Sequence, residues 1–381
     1  MPENSTSSQK KIGRAVRHTG RGTQVLIYLG KLLRMFVYQN DWKMLPMAAL
    51  IGGLVGMVIH NRLFINMEGT ALGAFALACV AIWNGCFNSI QVICRERDVI
   101  KREHRSGLHI SSYIIAHMIY QALLCLLQMG ITMYICRLTG VRFPQEGLFT
   151  SWGIVDFGIT MFLITYAADM MALWISALSR TTTAAMTIMP FVLIFQLIFS
   201  GGMIKNLPTW TAPVTNITIS NSGLKALASQ ADYNSRPMAS AWSTLVRLKD
   251  TPVGGTVTLK QIEEFLSDPD NEAMAELRDK DIDESMKLGD LFDLATAAAN
   301  AGLDEDKSFE VKTTVGQIIE LAGEENARKA IEDAGRTAGY EKDYEYSREN
   351  VIGYWADLIL FALAFAFLAM FFLEFIDKDR R

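Results

Sequence analysis

Residues 88–117 read NSIQVICRERDVIKREHRSGLHISSYIIAH, and the interpretation of the whole chain starts from this stretch. An apolar run ends in a dense group of charges, which breaks at Ser106 and Gly107 before a second apolar run begins near Ser111. Such a group is typical of one helix that leaves a membrane and extends into water until a glycine ends it. The alternative is an ordinary solvated loop between two membrane spans.

Apolar runs of membrane-spanning length lie on both sides of this stretch. The chain has 381 residues, of which 50% are apolar, and roughly 20 apolar residues suffice for a helix to cross a hydrocarbon core. The sequence therefore predicts an α-helical polytopic membrane protein rather than a soluble enzyme. Six transmembrane helices are predicted at 44–60, 71–93, 111–135, 152–178, 184–204 and 351–373.

The distribution of Lys and Arg predicts the orientation of these spans. Seventeen of them fall in the segments 1–43, 94–110, 179–183 and 374–381, whereas the two short loops on the other side hold only Arg62, Arg137 and Arg142. By the positive-inside rule, we expect both termini to be cytoplasmic and the long segment before the last span to be extracytoplasmic.

That long segment differs from the rest of the chain in charge. Lys205–Glu349 holds 16 basic and 27 acidic residues, a net charge of −11, against +7 for the remainder. We expect a large, mainly helical, acidic extracytoplasmic domain at 236–350. Thr258 and Thr314, each three residues before a glutamine, have the spacing of a capping box and predict two helix starts.

The segment before the first span predicts a helix of a different kind. Residues 1–23 are polar and basic and are expected to be a mobile cytoplasmic N-terminus. In 24–41, leucines and other apolar residues recur at helical spacing while Lys31 and Arg34 occupy another face. This pattern indicates an interfacial helix lying in the membrane surface, the alternative being an amphipathic helix packed on a soluble domain.

Motifs of catalysis and metal binding are missing from the sequence. It has no GxxxxGK[ST] phosphate loop, no HExxH, no GxSxG and no pair of histidines on one helix face. The cysteines offer no CxxC pair or zinc spacing, since all lie inside or at the ends of apolar runs: Cys79, Cys86, Cys94, Cys125 and Cys136. We predict no catalytic and no metal site, so that function depends on membrane geometry or on a partner.

Three stretches resemble a known family. Residues 88–117 are similar to the segment between the second and third spans of the G-subfamily ABC transporters and their bacterial relatives, through Glu96-Arg97, Arg102-Glu103, Gly107 and Ser112-Tyr113. WISALSR at 174–180 resembles the end of that family's fourth span. Residues 199–234 resemble the fifth-span exit and re-entrant segment of the bacterial members that often carry forkhead-associated domains, which implies a re-entrant segment at 205–235. Residues 24–41 resemble the elbow helix of that family.

This resemblance implies an ABC-2-type (G-subfamily-like, type V) permease subunit of an exporter in the cytoplasmic membrane of a bacterium. It would move an amphipathic or lipid-like substrate and would work with a second permease protomer, identical or similar. The usual family member joins an ATPase to its spans, but only about 20 residues precede the elbow helix here. The resemblance therefore implies separate ABC ATPase subunits, which would bind ATP and Mg. The resemblance implies membrane lipids as partners, and it implies neither a cofactor in this chain nor a nucleic-acid partner. Residues 250–350 have no counterpart in the family.

The resemblance also implies two groups of functional residues. The first would couple the membrane part to the ATPase: Arg95, Glu96, Arg97, Arg102, Glu103, Arg105, Ser106 and Gly107, with Lys31 and Arg34 of the elbow helix, which could pair with Glu96 or Glu103. The second would line the substrate path between the second and fifth spans: Asn84, Phe87, Asn88, Gln91, Phe191, Phe195, Gln196 and Phe199, below a gate at Leu197 and Ile198.

Several alternatives remain open on the sequence alone. The stripe formed by Asn84, Asn88 and Gln91 faces either a cavity or a neighbouring helix, since amides facing lipid are costly. Asp169, inside the fourth span, is either a proton relay or a structural partner of a nearby polar group. Two other classes of function also fit: a receptor or scaffold acting through the acidic domain, and an ion-coupled transporter or channel that requires Asp169.

Overall fold

A computed structural model describes residues 20–38, 41–61, 63–202, 211–250, 252–258, 281–283, 286–287 and 308–375. Its helices are α1 Arg21–Tyr38, α2 Met44–Ile59, α3 Met67–Ser89, α4 Val92–Arg105, α5 Ile110–Leu138, α6 Gly153–Leu178, α7 Thr182–Ile198, α8 Ala212–Asn216, α9 Ile219–Gln230, α10 Ala239–Arg247, α11 Val315–Ala322, α12 Glu324–Ala338 and α13 Arg348–Glu374. Its strands are β1 Pro252–Thr258, β2 Asp281–Asp283, β3 Met286–Lys287 and β4 Ser308–Thr314.

Five helical segments of the described chain are long and apolar enough to cross a membrane. They are Asp41–Ile59, Met67–Arg105, Ile110–Leu138, Gly153–Leu178 and Arg348–Glu374. The predicted fifth span, 184–204, corresponds to the apolar helix α7, which has 17 residues and ends at Ile198. The predicted end was wrong because the chain turns after α7, where Gly201 adopts a φ of 75°.

The second predicted span and the charged stretch that follows it do not form one unbroken helix. A two-residue turn at Ile90 and Gln91 separates α3 from α4. The backbone N–H groups of Ile93 and Cys94 each donate at 3.1 Å to the Ser176 hydroxyl of α6. The Ser176 hydroxyl thus takes the place of the backbone carbonyls one turn earlier, which would accept these N–H groups in a continuous helix. A side chain inserted in this way interrupts a helix.

The membrane unit comprises residues up to 63, 71–231 and 343–381, and α6 lies at its centre. α6 packs against α5, α9 and α13. Gly85 allows α3 to approach α6 closely, because a β-carbon there would lie 2.2 Å from the Thr165 carbonyl oxygen. Thr160 joins two further helices, since it accepts from the Trp355 indole at 2.7 Å and donates to Gln230 at 2.9 Å.

Helix α1 packs lengthwise on α5. Leu32 is buried against Ala116, Tyr120 and Leu124, with Tyr28 and other apolar residues of α1 around it. The opposite side of α1 remains apolar yet exposed at Leu26, Ile27, Leu33 and Val37.

The second unit comprises residues 64–70 and 232–342. The extracytoplasmic domain expected at 236–350 stays a prediction. The helical prediction is confirmed for α10, α11 and α12, and the Thr314–Gln317 capping box is present in full. The same segment also contains β1 and β4, which pair antiparallel from Pro252↔Thr314 to Thr258↔Ser308. Thr258 therefore ends a strand, and the helix predicted after it lies outside the described residues.

Candidate functional site

Helix α4 is anchored to the end of α6 by two sets of hydrogen bonds. The Ser176 hydroxyl accepts the two N–H groups in the first turn of α4 described above. In the other direction, the Arg97 guanidinium donates to the carbonyls of Ala177 at 2.8 Å and Ser179 at 3.0 Å. The last carbonyls of a helix have no partner inside it and carry partial negative charge, so a cation there is stabilising. Each helix thus completes the other's end.

Helix α1 contacts α4 from the other side. Lys31 forms an ion pair with Glu96 at 3.4 Å, one of the two pairings expected from the sequence. Glu103 instead accepts a hydrogen bond from the Tyr28 hydroxyl. Burial, and then the Glu103 carboxylate, raise the pKa of Tyr28 above its usual value. Arg34 forms no ion pair among the residues that the structure places.

The turn after α4 is fixed by its own backbone and by α1. Gly107 has a φ of 107°, and the N–H groups of Gly107 and Leu108 donate to the carbonyls of His104 and Glu103. This pair of hydrogen bonds defines the Schellman motif, which favours glycine at the left-handed position. The Gln24 side chain of α1 adds a contact, since its amide donates to the Gly107 carbonyl at 3.1 Å.

The candidate coupling residues therefore divide into two groups. Glu96, Arg97 and Glu103, with Lys31 of α1, make contacts within the protein. The exposed α4 face, as we call it, consists of residues at i, i+3, i+7 and i+10 on one side of the helix: Arg95, Asp98, Arg102 and Arg105. It continues into the exposed turn at Ser106 and Gly107. The side chains of this second group are exposed to solvent.

The polar stripe of α3 is used between helices. Asn84 and Asn88 are buried, at 4% and 3% exposure. Asn88 exchanges two hydrogen bonds with Gln128 of α5, at 2.8 and 2.9 Å, and donates to Asp169 of α6 at 3.4 Å. Gln91, the third member, lies in the turn between α3 and α4, so the stripe is shorter than predicted. These contacts favour the interhelical alternative for Asn88.

Asp169 is fully buried and has a structural partnership. Besides Asn88, the Cys125 thiol lies 3.3 Å from the same Asp169 oxygen, Oδ2. An amide and a thiol from α3 and α5 thus face one carboxyl of α6. The geometry matches the structural interpretation of Asp169 better than a proton relay, which would need a chain of titratable groups leading to water.

The predicted path residues of α7 fall on two sides of that helix. Gln196 is buried. Its side-chain oxygen accepts from the Ser220 N–H at 3.1 Å, and its backbone carbonyl accepts from the Ser220 hydroxyl. It joins α7 to α9 and does not line an open surface. Phe191, Phe195 and Ile198 are exposed, whereas Leu197 and Phe199 are partly buried.

A small cavity lies where α3, α4 and α5 meet. It has a volume of about 160 Å³, and its lining includes Phe87, Asn88 and Gln91 of the predicted path. Gln121 of α5 also lines it, and the Gln121 amide donates to Ser89 at 2.7 Å. The side-chain carbonyl oxygen of Gln121 is buried and has no hydrogen-bond partner among the described residues. Three of the predicted path residues therefore do come together, beside a polar side chain that the sequence did not indicate.

Sequence analysis missed the residues that hold α4 in place. Tyr28, Gln24 and Ser176 have no motif or spacing of their own, because their partners lie 75 to 83 residues away in the chain. Ser176 lies inside the WISALSR stretch, so the resemblance marked the right segment without its role. Among the described residues there is no cluster of His, Cys, Asp and Glu that could hold a metal ion.

Comparison with known proteins agrees with this arrangement. Residues 31–229, just over half of the chain, match the family described as ABC-2 type transporter. An ABC transporter ATP-binding/permease protein of Mycobacterium tuberculosis is 28% identical over 125 residues. That alignment covers 32% of this chain and 14% of the relative. With its apolar helices and the charged helix α4 anchored between α1 and α6, the chain belongs to the ABC-2 type transporter family of membrane permeases.

Proposed function

We propose that this protein is the permease subunit of an ABC exporter, driven by a separate ATPase that contacts the exposed α4 face and the turn at Ser106 and Gly107. The observation that carries the proposal is the anchoring of α4 on two sides, to α1 and to the end of α6. A helix held in this way moves together with the elements around it. Its remaining side carries charge and is exposed.

The contacts of α4 suit the transmission of movement more than they add stability. A partly exposed pair such as Lys31–Glu96 contributes only about 0.2–1 kcal/mol. The bonds of Arg97 and Ser176 join backbone to side chain at helix ends, where geometry is fixed. A displacement of α4 by a partner would therefore reach α6, and through α6 the helices packed against it, α9 and α13.

We further propose that α1 is the interfacial elbow helix. Its exposed apolar residues Leu26, Ile27, Leu33 and Val37 are unusual for a helix facing water, and the membrane surface would cover them. We also propose, from the distribution of Lys and Arg, that both termini are cytoplasmic and that residues 205–350 are extracytoplasmic.

The proposed substrate path is now limited to residues with open surface. Phe87, Phe191 and Phe195 are exposed in the single protomer, and we propose that a second protomer faces them, with Leu197 and Ile198 as the gate. Aromatic surface without fixed charge suits an amphipathic or lipid-like substrate. The name of the mycobacterial relative combines ATP binding with a permease, which supports an ATP-driven process. The likeness to the G-subfamily and to transporters with forkhead-associated domains is also part of this proposal. ATP and Mg would bind to the ATPase.

The test uses the full chain reconstituted with candidate ATPases encoded by the same organism. We expect no ATP hydrolysis by the chain alone and stimulated hydrolysis with its cognate ATPase. Replacing Arg102 and Arg105 by Glu should weaken the complex about tenfold or more, because it reverses charge at the contact. Arg247→Glu, an exposed arginine of α10, is the matched control. Hydrolysis by the chain alone, or full stimulation of the double variant, would contradict the proposal.

A further inference from the structure

The cavity of about 160 Å³ where α3, α4 and α5 meet contains a buried hydrogen-bond acceptor that no described residue satisfies. Gln121 is 1% exposed, and its amide group donates to the Ser89 hydroxyl at 2.7 Å. The other end of the same side chain, the oxygen Oε1, is left without a partner. Buried polar atoms are normally hydrogen-bonded, because an unpaired one costs free energy. The cavity therefore suits a group that donates a hydrogen bond to Gln121.

The charges around this cavity are balanced. Within the described chain, its charged lining consists of Asp41, in the turn that precedes α2, and Arg95 of α4. Gln91 and Asn88 add uncharged amides. Because binding favours a ligand whose charge complements that of the site, a lining with one acid and one base does not select an ion with net charge. It fits a neutral or zwitterionic headgroup.

The same cavity has a wall in common with the proposed substrate path. Phe87 of α3 lines it and is 45% exposed, and Met186 of α7 lines it at 38% exposure. A volume of about 160 Å³ equals that of about five water molecules at ~30 Å³ each, which is room for a small headgroup but not for a whole lipid. An amphipathic molecule can thus lie with its apolar part on Phe87 and Met186 and its polar end in the cavity.

We infer that Gln121 is a specificity-determining residue of the proposed substrate path, and that the cavity holds a headgroup with a hydrogen-bond donor and no net charge. The headgroup donates to Oε1 of Gln121, and the apolar part of the molecule packs on Phe87 and Met186. This inference rests on the proposed function, since it assigns one part of the same path. In the proposed orientation the cavity lies at the cytoplasmic end of α3, near the lipid headgroups of the inner leaflet.

The experiment uses lipids that differ only in their hydrogen-bond donors. Dihexanoylphosphatidylethanolamine, its N-methyl and N,N-dimethyl derivatives and dihexanoylphosphatidylcholine are all zwitterionic, but only the last has no N–H group. Binding to the full chain is measured by calorimetry in lauryldimethylamine oxide, a detergent whose headgroup has no donor. We expect phosphatidylethanolamine to bind about tenfold more tightly than phosphatidylcholine. The largest decrease should come with the last methyl group, because one donor suffices for Gln121.

Variants of Gln121 test the assigned acceptor. Gln121→Leu removes the oxygen at similar volume and should abolish the preference for phosphatidylethanolamine, whereas Gln121→Glu keeps an acceptor and should retain it. Thr132→Val is the matched control, since Thr132 lies on the same helix, outside the cavity, and its buried hydroxyl also has no partner among the residues that the structure places. This variant should leave the preference unchanged.

Equal affinity across the methylation series of the wild type would overturn the inference, whether or not the variants fold, since water would then satisfy Gln121 as well as a headgroup does. An unchanged preference in Gln121→Leu would overturn it too. Binding is measured without any ATPase, so the two proposals fail separately. ATPase stimulation without a lipid preference contradicts this inference alone, whereas a lipid preference without stimulation by any candidate ATPase contradicts the proposed function.

Discussion

The anchoring of α4 can be tested at Ser176, whose hydroxyl accepts two backbone N–H groups of α4 at 3.1 Å. Ser176→Ala removes this acceptor and leaves both donors buried. A buried unsatisfied donor costs about 1–3 kcal/mol. Because the two N–H groups can turn back toward the carbonyls of Ser89 and Ile90, we expect the total cost to be about 1–3 kcal/mol rather than twice that value.

This cost should appear as local opening of α4 rather than as global unfolding. A loss of about 1–3 kcal/mol in local stability corresponds to roughly 5–150-fold faster amide exchange. Hydrogen exchange with mass spectrometry on the protein in nanodiscs would resolve a peptide covering residues 92–105. Ser176→Thr keeps the hydroxyl and is the matched control. If Ser176→Ala left the exchange of this peptide unchanged while α4 stayed folded, the anchoring of α4 by α6 would be refuted.

Three further predictions concern packing, the turn and the α1 contact. Gly85→Ala should lower the melting temperature strongly, since its β-carbon would meet the Thr165 carbonyl, whereas Gly130→Ala, with open space around it, should be neutral or slightly stabilising in the same thermal unfolding experiment. Gly107→Ala places a side chain at a φ of 107° and should cost about 1 kcal/mol or more, seen as faster exchange of the α4 C-terminus. Tyr28→Phe should weaken the contact between α1 and α4 by about 1 kcal/mol. Because the pKa of Tyr28 is raised, its hydroxyl stays protonated, and crosslinking of α1 to α4 in the wild type should not decrease between pH 7 and 9. A decrease within that range would contradict Tyr28 as the donor.

The sequence located the apolar helices well because hydropathy is a local property. The helix predicted at 152–178 is observed at Gly153–Leu178, and the one predicted at 44–60 at Met44–Ile59. The end of α7 was misplaced because a glycine turn is a weaker local signal than the apolar residues that follow it. The strands β1 and β4 were missed because the paired residues lie 50 to 62 positions apart in the chain, and no local period reveals such pairing.

The polar residues show a sharper limit of sequence reasoning. Helical spacing placed Asn84 and Asn88 on one face, and that placement agrees with their common burial. Helical spacing could not show that Gln128 of α5 would form hydrogen bonds with Asn88. Whether a polar residue faces a cavity or a neighbouring helix depends on which helix packs against it. For the same reason Glu96 and Glu103, two residues of one charged cluster, have different partners on α1: an ammonium group and a phenol hydroxyl.

The division of α4 into an internal side and an exposed side has a consequence for mutagenesis of the whole cluster. Arg97 and Arg102 carry the same charge and lie five residues apart, so sequence alone would give them one role. Arg97 donates to the end of α6, and its loss leaves carbonyls there without a partner, which affects the permease itself. Arg102 is exposed, so we expect its loss to affect only the binding of a partner. Arg97→Ala should therefore loosen α4 even in the absence of any ATPase, while Arg102→Ala should change nothing until a partner is added.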